Sequence, residues 1–261
     1  MHSHNFQILT KSYFHELLNT YLNFENKIYL DVTNKDAVID DSPVNHFNIS
    51  LYKKIQTVNN KAFYMFLLWE KINDSFESLN KFCIEHLDEN IINLQNIPHD
   101  FVLNSENYYY HVMSFFDTIA RLTSIMYKKQ GNGVKSKSFI KQMEDEALRN
   151  MDPVYYDYVN SNLQWIYELK DIRDGLAHYA ESDFRIKEYT GRPIFIILYL
   201  VKNKNGKLER KETNVIELLS KINEGVSDFI LFYVSHFKKN MENNLYEYLF
   251  EQLKAYYSKI K

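Results

Sequence analysis

The chain of 261 residues contains one cysteine, four prolines and six glycines. A single cysteine, Cys83, excludes an intrachain disulfide, and its place between Phe82 and Ile84 on a helical pattern predicts a small core residue. The scarcity of proline and glycine disfavours a turn-rich β-sandwich and leaves long helices as the natural architecture. No apolar run is long enough for a membrane helix. The longest, Phe63 to Trp69 and Ile194 to Val201, fall far short of the roughly 20 residues such a helix needs. Basic charge is not in excess either, since 31 Lys and Arg against 34 Asp and Glu leave a net charge of −3. No global field draws such a chain to nucleic acid, so any contact with it has to be local. The opening Met1-His2-Ser3-His4-Asn5 is polar and no long apolar stretch follows, so no secretory leader is expected. A cytoplasmic protein with no membrane contact is the natural inference.

Core-forming material is plentiful, with 45% hydrophobic and 16% aromatic residues, including 21 Tyr and 18 Phe. Apolar residues recur mainly at helical spacing. Phe14, Leu17, Leu18, Tyr21 and Leu22 outline a helix over 10–29, and a polar loop is expected over 31–48. A long helical segment follows over 51–89, with a break expected near Val58-Asn59-Asn60. Irregular chain is expected over 91–103, then a helix capped by Asn104 or Ser105 that runs to residue 129. In Tyr108-Tyr109-Tyr110 the three rings cannot share one helical face, so at least one is core. A linker with Gly131 and Gly133 and a short helix over 138–149 complete this half.

Asp152 followed by Pro153 is a helix start with a reason for each residue, a side-chain acceptor at the N-cap and a ring that needs no N–H partner. The apolar stripe of that helix is Tyr155, Tyr158 or Val159, Leu163, Ile166, Leu169 and Ile172. Continued one step, it places Arg173 where the pattern asks for core. Beyond it the pattern becomes β-rich over 195–201, Asn205-Gly206 is a hairpin signal, 207–213 returns as a polar partner strand, and 184–189 adds a third strand. Helices are expected again over 215–237 and from 241 onward. The fold class is therefore mainly α, a helical bundle with a small β-hairpin insertion near 184–213.

The segment Arg173-Asp174-Gly175-Leu176-Ala177-His178-Tyr179 carries the chemistry. RNA brings its own nucleophile, so cutting it requires a base for the 2′-OH, an acid for the leaving 5′-oxygen, and positive charge on the developing phosphorane. Arg173 offers a fixed cation with a fork of donors for a phosphate. His178 can take and give a proton near neutral pH, and Asp174 can orient either of them. On an unbroken helix the two lie about 140° apart, a divergence that a bend at Gly175 would relieve. From Arg121 to Lys141 six basic residues occur with no acid among them; Arg121, Lys128, Lys129 and Lys135 are candidate phosphate contacts. Asp117, together with Asn107, His111 and Ser114, continues a polar stripe beside Arg121 that either lines a cleft or is an ordinary solvated face with an i,i+4 ion pair.

A helical chain whose late helix ends in Arg-x4-His, with a polar residue after the arginine, resembles the HEPN superfamily (higher eukaryotes and prokaryotes nucleotide-binding). The resemblance covers 104–261 as a HEPN-like bundle and leaves 1–103 as a helical extension packed on it. It implies a metal-independent endoribonuclease without a cofactor, acting as a homodimer with two motifs facing each other. A toxin or antiviral-defence role with a neutralising partner protein would follow by analogy. The tyrosine that some toxin members carry two residues after the histidine is replaced here by Ala180; Tyr179 is adjacent instead, a candidate substrate contact. The alternative is a non-catalytic module binding RNA, nucleotide or protein, in which Arg173 and His178 only offset a helix C-terminal dipole. Other chemistries lack their patterns. Gly131 to Ser136 is not a phosphate-binding P-loop, no GxSxG elbow exists, and the histidines lack zinc-ligand spacing.

The composition and periodicity predict helix in more than about half of the residues, well above the usual third. Far-UV circular dichroism checks this directly; a strand-dominated spectrum would exclude a helical bundle.

Overall fold

A computed structural model describes residues 4–33, 43–85, 99–127, 138–179, 182–189, 192–203 and 205–260. It is mainly helical, with a small antiparallel sheet. The elements run α1 (His4–Thr33), α2 (Pro43–Glu85), α3 (His99–Met126), α4 (Phe139–Met143), α5 (Glu146–Met151), α6 (Pro153–Asn162), α7 (Trp165–Tyr179), β1 (Ser182–Tyr189), β2 (Arg192–Lys202), β3 (Leu208–Asn214) and α8 (Val215–Ile260). Among the described residues no helix is long and apolar enough to cross a membrane. The chain forms two compact units, one from 1–63, 114–162 and 227–261, the other from 64–113 and 163–226. Neither coincides with 1–103 or 104–261.

Several helices differ from their expected extents, each for a visible reason. The segment Val58-Asn59-Asn60 does not break α2, because Val58 is fully buried and continues the stripe of Leu51, Ile55, Ala62 and Met65 while Asn60 faces solvent. Helix α3 begins at His99, so Asn104 and Ser105 lie inside it instead of capping it; Ser105 is fully buried. The last helical segments merge into one, α8, since Phe237, Met241 and Leu245 keep the buried period unbroken. Conversely, the helix expected to run from Pro153 through the motif is two. Asn160 and Asn162 donate their side-chain amides to the carbonyls of Tyr156 and Tyr158, both at about 3.0 and 2.9 Å respectively, and close α6. The chain restarts with Ile166 N–H on the Leu163 carbonyl.

In the first unit an aromatic cluster forms the core. Phe116 packs on Phe139 and Phe229 with centroids 4.8 and 5.0 Å apart, and Tyr233 and Phe237 extend the stack. Asp152 ties its elements together. Its Oδ1 accepts the Tyr155 N–H at 2.9 Å, the expected N-cap, and its Oδ2 accepts the Tyr127 hydroxyl and His236 Nε2, the latter at 2.5 Å. One carboxylate thus joins the end of α3, the start of α6 and the middle of α8.

In the second unit, Phe195 of β2 meets Phe76 and Phe101, and Tyr108 packs on Trp69. Tyr108 and Tyr109 are fully buried while Tyr110 is exposed. The strands form a three-stranded meander in the order β1-β2-β3, placed as the sequence predicts. At the second turn the Asn203 side chain accepts the N–H groups of Asn205 and Lys207 at 3.0 and 2.9 Å, and Gly206 takes a positive φ of 79° that favours glycine.

Burial raises the Asp152 carboxyl pKa, but hydrogen bonds from His236, Tyr127 and the Tyr155 N–H outweigh it and hold the group below its ordinary value. A depressed carboxylate contributes stability above its unfolded pKa, about 3.9, and that contribution is lost as pH falls through the folded value. Asp152→Asn should therefore cost about 2–3 kcal/mol at pH 7 and flatten the fall in Tm below about pH 4. Thermal melts across that range check it; an acid slope equal to wild type contradicts it.

Candidate functional site

Helix α7 is amphipathic in the expected register. Leu163 just before it, then Ile166, Leu169 and Ile172, are fully buried, and Arg173 is half-buried at the edge of that stripe. The helix assignment continues unbroken through Gly175. Gly175 permits close approach: a Cβ at that position would stand 3.0 Å from the Leu200 carbonyl oxygen and 3.3 Å from the Tyr199 Cβ. A side chain there would require α7 or β2 to give by a few tenths of an ångström. The second glycine of this kind is Gly225 of α8, where a Cβ would collide with the Trp165 ring at the start of α7.

Arg173 and Asp174 are brought together. Arg173 Nε and Nη2 both donate to Asp174 Oδ1, at 3.1 and 2.7 Å, and Lys170 Nζ donates to Oδ2 at 2.8 Å. Burial raises the Asp174 pKa, yet these hydrogen bonds and the two cations lower it below the ordinary carboxylate range. With two cations on one carboxylate, the cluster keeps one net positive charge.

The unbroken helix fixes where position 178 falls. Residues 167, 171, 174 and 178 follow one another at steps of four, three and four, a single stripe along α7. Asp174 lies on that stripe, about 40° from position 178, while position 173 is about 140° away. By binding Asp174, the Arg173 guanidinium is drawn toward the stripe on which 178 stands. The side chains of His178 and Tyr179 themselves lie outside the described residues, as does that of Cys83.

Arg121 is exposed on α3 in the first unit, and among the described residues no ion pair links it to Asp117. Asp117 Oδ1 instead accepts the Phe139 N–H at 3.0 Å and so tethers the start of α4. Lys61, whose Nζ donates to Ser114 Oγ, has its pKa lowered by partial burial and then by the charge of Arg121. Lys128, Lys129, Lys135 and Lys137 lie outside the described residues, and Lys141 is exposed on α4.

Sequence reasoning missed a concavity of about 470 Å³ between α7 and the β2–β3 hairpin. The register pairs Tyr199 with Lys211 and Ile197 with Thr213, which sets Tyr199, Lys211 and Thr213 on one face of the sheet. Two polar bonds cross to α7: Thr213 Oγ1 donates to Glu168 Oε1 at 2.5 Å, and Lys211 Nζ to Asp171 Oδ2 at 3.3 Å. Acidic groups predominate here, so this space does not suit a phosphate; the net positive group is the one around Arg173. The Lys170 and Asp174 pair, an i,i+4 spacing, went unread in the sequence, and the cross-element bonds depend on strand register. Among the described residues no group of three or more His, Cys, Asp or Glu is placed to hold a metal ion. Compared with known protein families, curated proteins and solved structures, the chain has no significant match in any of the three.

Proposed function

We propose that the protein is a metal-independent endoribonuclease of HEPN type that acts as a homodimer on RNA. The observation that carries this reading is the Asp174 clamp, which holds the Arg173 guanidinium toward the stripe that leads one turn on to His178. In the reaction, a histidine takes the 2′-OH proton, the 2′-oxygen attacks phosphorus, and the 5′-oxygen departs with a proton from a second histidine. The products are a 2′,3′-cyclic phosphate end and a 5′-hydroxyl end, so no water or metal enters the cleavage step. Arg173 stabilises the charge that grows on the phosphorane oxygens. Asp174 acts as a positioning residue by fixing the guanidinium. One chain supplies one such histidine, and a two-fold axis near α7 supplies the other. A toxin or antiviral-defence setting, with a partner protein that neutralises the enzyme, fits an RNA-cutting chain of this kind.

Wild-type protein should cleave single-stranded RNA in the presence of a chelator. His178→Ala and Arg173→Ala should each lower the rate on the order of 10²-fold or more while the circular dichroism spectrum stays unchanged. Asp174→Asn should lower kcat more than it raises KM, since it loosens the positioning of a guanidinium whose interaction develops in the transition state. RNA affinity with no turnover in wild type would replace this reading with a binding module, and unchanged cleavage by His178→Ala would falsify the catalytic assignment.

A further inference from the structure

The first unit carries a second net positive group, and its assignment does not rest on RNA cleavage. Ser114, Asp117 and Arg121 follow one another at steps of three and four, so they share one stripe of α3. Helix α2 meets this stripe through Lys61, whose Nζ donates to Ser114 Oγ. Two cations thus stand with one carboxylate, and the cluster does not neutralise itself. Among the described residues neither Lys61 nor Arg121 forms an ion pair. Asp117, the acid of the stripe, spends Oδ1 on the Phe139 N–H at 3.0 Å.

Two observations point to a ligand. The first is electrostatic. Lys61 is half-buried, and that burial, followed by the charge of Arg121, lowers its pKa; the carboxylate of Asp117 opposes this without reversing it. The fold therefore holds two cations close enough to repel, with no counter-charge bonded to either. The second is an excess of donors. An ammonium and a guanidinium carry many N–H groups and accept none, yet the acceptor bonded to them among the described residues is Ser114 Oγ alone. Because that oxygen accepts from Lys61, the serine's own proton is free to be donated. Such a set suits an anion that only accepts and whose oxygens point in several directions, since its donors come from two helices. A phosphate group has this form, whereas a flat carboxylate matches the arginine fork alone.

We infer that Lys61, Ser114 and Arg121 form a phosphate-binding site, with the ammonium and the guanidinium sharing the phosphate oxygens, the Ser114 hydroxyl donating to one of them, and Asp117 limiting the affinity through its charge. The same chemistry is offered by free inorganic phosphate and by the phosphodiester of a nucleic-acid strand.

Calorimetric titration of the full chain at low ionic strength, with inorganic phosphate in one arm and a short single-stranded oligodeoxythymidylate in the other, tests the assignment. The DNA strand has no 2′-hydroxyl, so the outcome is independent of whether the protein cuts RNA. Saturable binding in either arm that depends on Lys61 and Arg121 supports the site, and the tighter arm identifies the source. Arg121→Gln and Lys61→Gln should each weaken binding on the order of tenfold. Asp117→Asn keeps the oxygen that receives the Phe139 N–H but removes the negative charge, and should tighten binding several-fold. Lys239→Gln, which removes an exposed lysine of α8 in the same unit, should leave binding unchanged. The proposal is overturned by no saturable binding in either arm, by wild-type affinity in Arg121→Gln, whose exposed side chain the fold does not need, or by an equal loss in Lys239→Gln, which would show only a response to net charge.

Discussion

The approach of α7 to β2 at Gly175 is the constraint on which the candidate site depends. With 3.0 Å between a Cβ there and the Leu200 carbonyl oxygen, a side chain at 175 would require helix or strand to give by a few tenths of an ångström. At this contact α7 is rotated with Leu169 and Ile172 turned into the core and the 167–171–174–178 stripe left along the flank of the sheet. The polar features of the site accompany this rotation. Asp171 comes within reach of Lys211, Glu168 within reach of Thr213, and Asp174 is left beside Lys170 and Arg173. Mid-helix glycine costs roughly 1 kcal/mol relative to alanine, a penalty that this contact explains.

The same helix places two opposite chemistries side by side along its length. Toward the sheet, carboxylates outnumber cations and the space is open. Around Arg173, two cations share one carboxylate, leaving one net positive charge. The net charge of −3 is compatible with such a local arrangement.

Much of the fold was legible in the sequence because local signals agreed with one another. Asp152-Pro153 marked the start of α6, Asn205-Gly206 marked the β2–β3 turn, and the buried stripe of α7 was read residue by residue. What was misread depended on tertiary context. Polar pairs such as Asn59-Asn60 resemble breaks, yet burial of Val58 carries α2 through them; Asn160 and Asn162 end α6 where the apolar period alone would continue it. At Gly175 a sequence suggests a hinge, because it does not show what passes close to a glycine. The Arg173 and Asp174 pair was legible from adjacency, and the concavity was not, because its residues come from separate elements whose register only the folded chain sets. The expected contacts at Lys128, Lys129 and Lys135 fall outside the described residues.

The central claim is that Arg173 and His178 cut RNA only when two copies of the chain contribute to one site. Subunit mixing tests it most directly: wild-type protein is exchanged with an excess of His178→Ala chains, and cleavage is measured per wild-type chain. If the site is composite, activity per wild-type chain should fall as the inactive fraction rises, because most wild-type chains then face a defective partner. Activity per wild-type chain that stays constant across the mixing series, with exchange verified, would contradict the account.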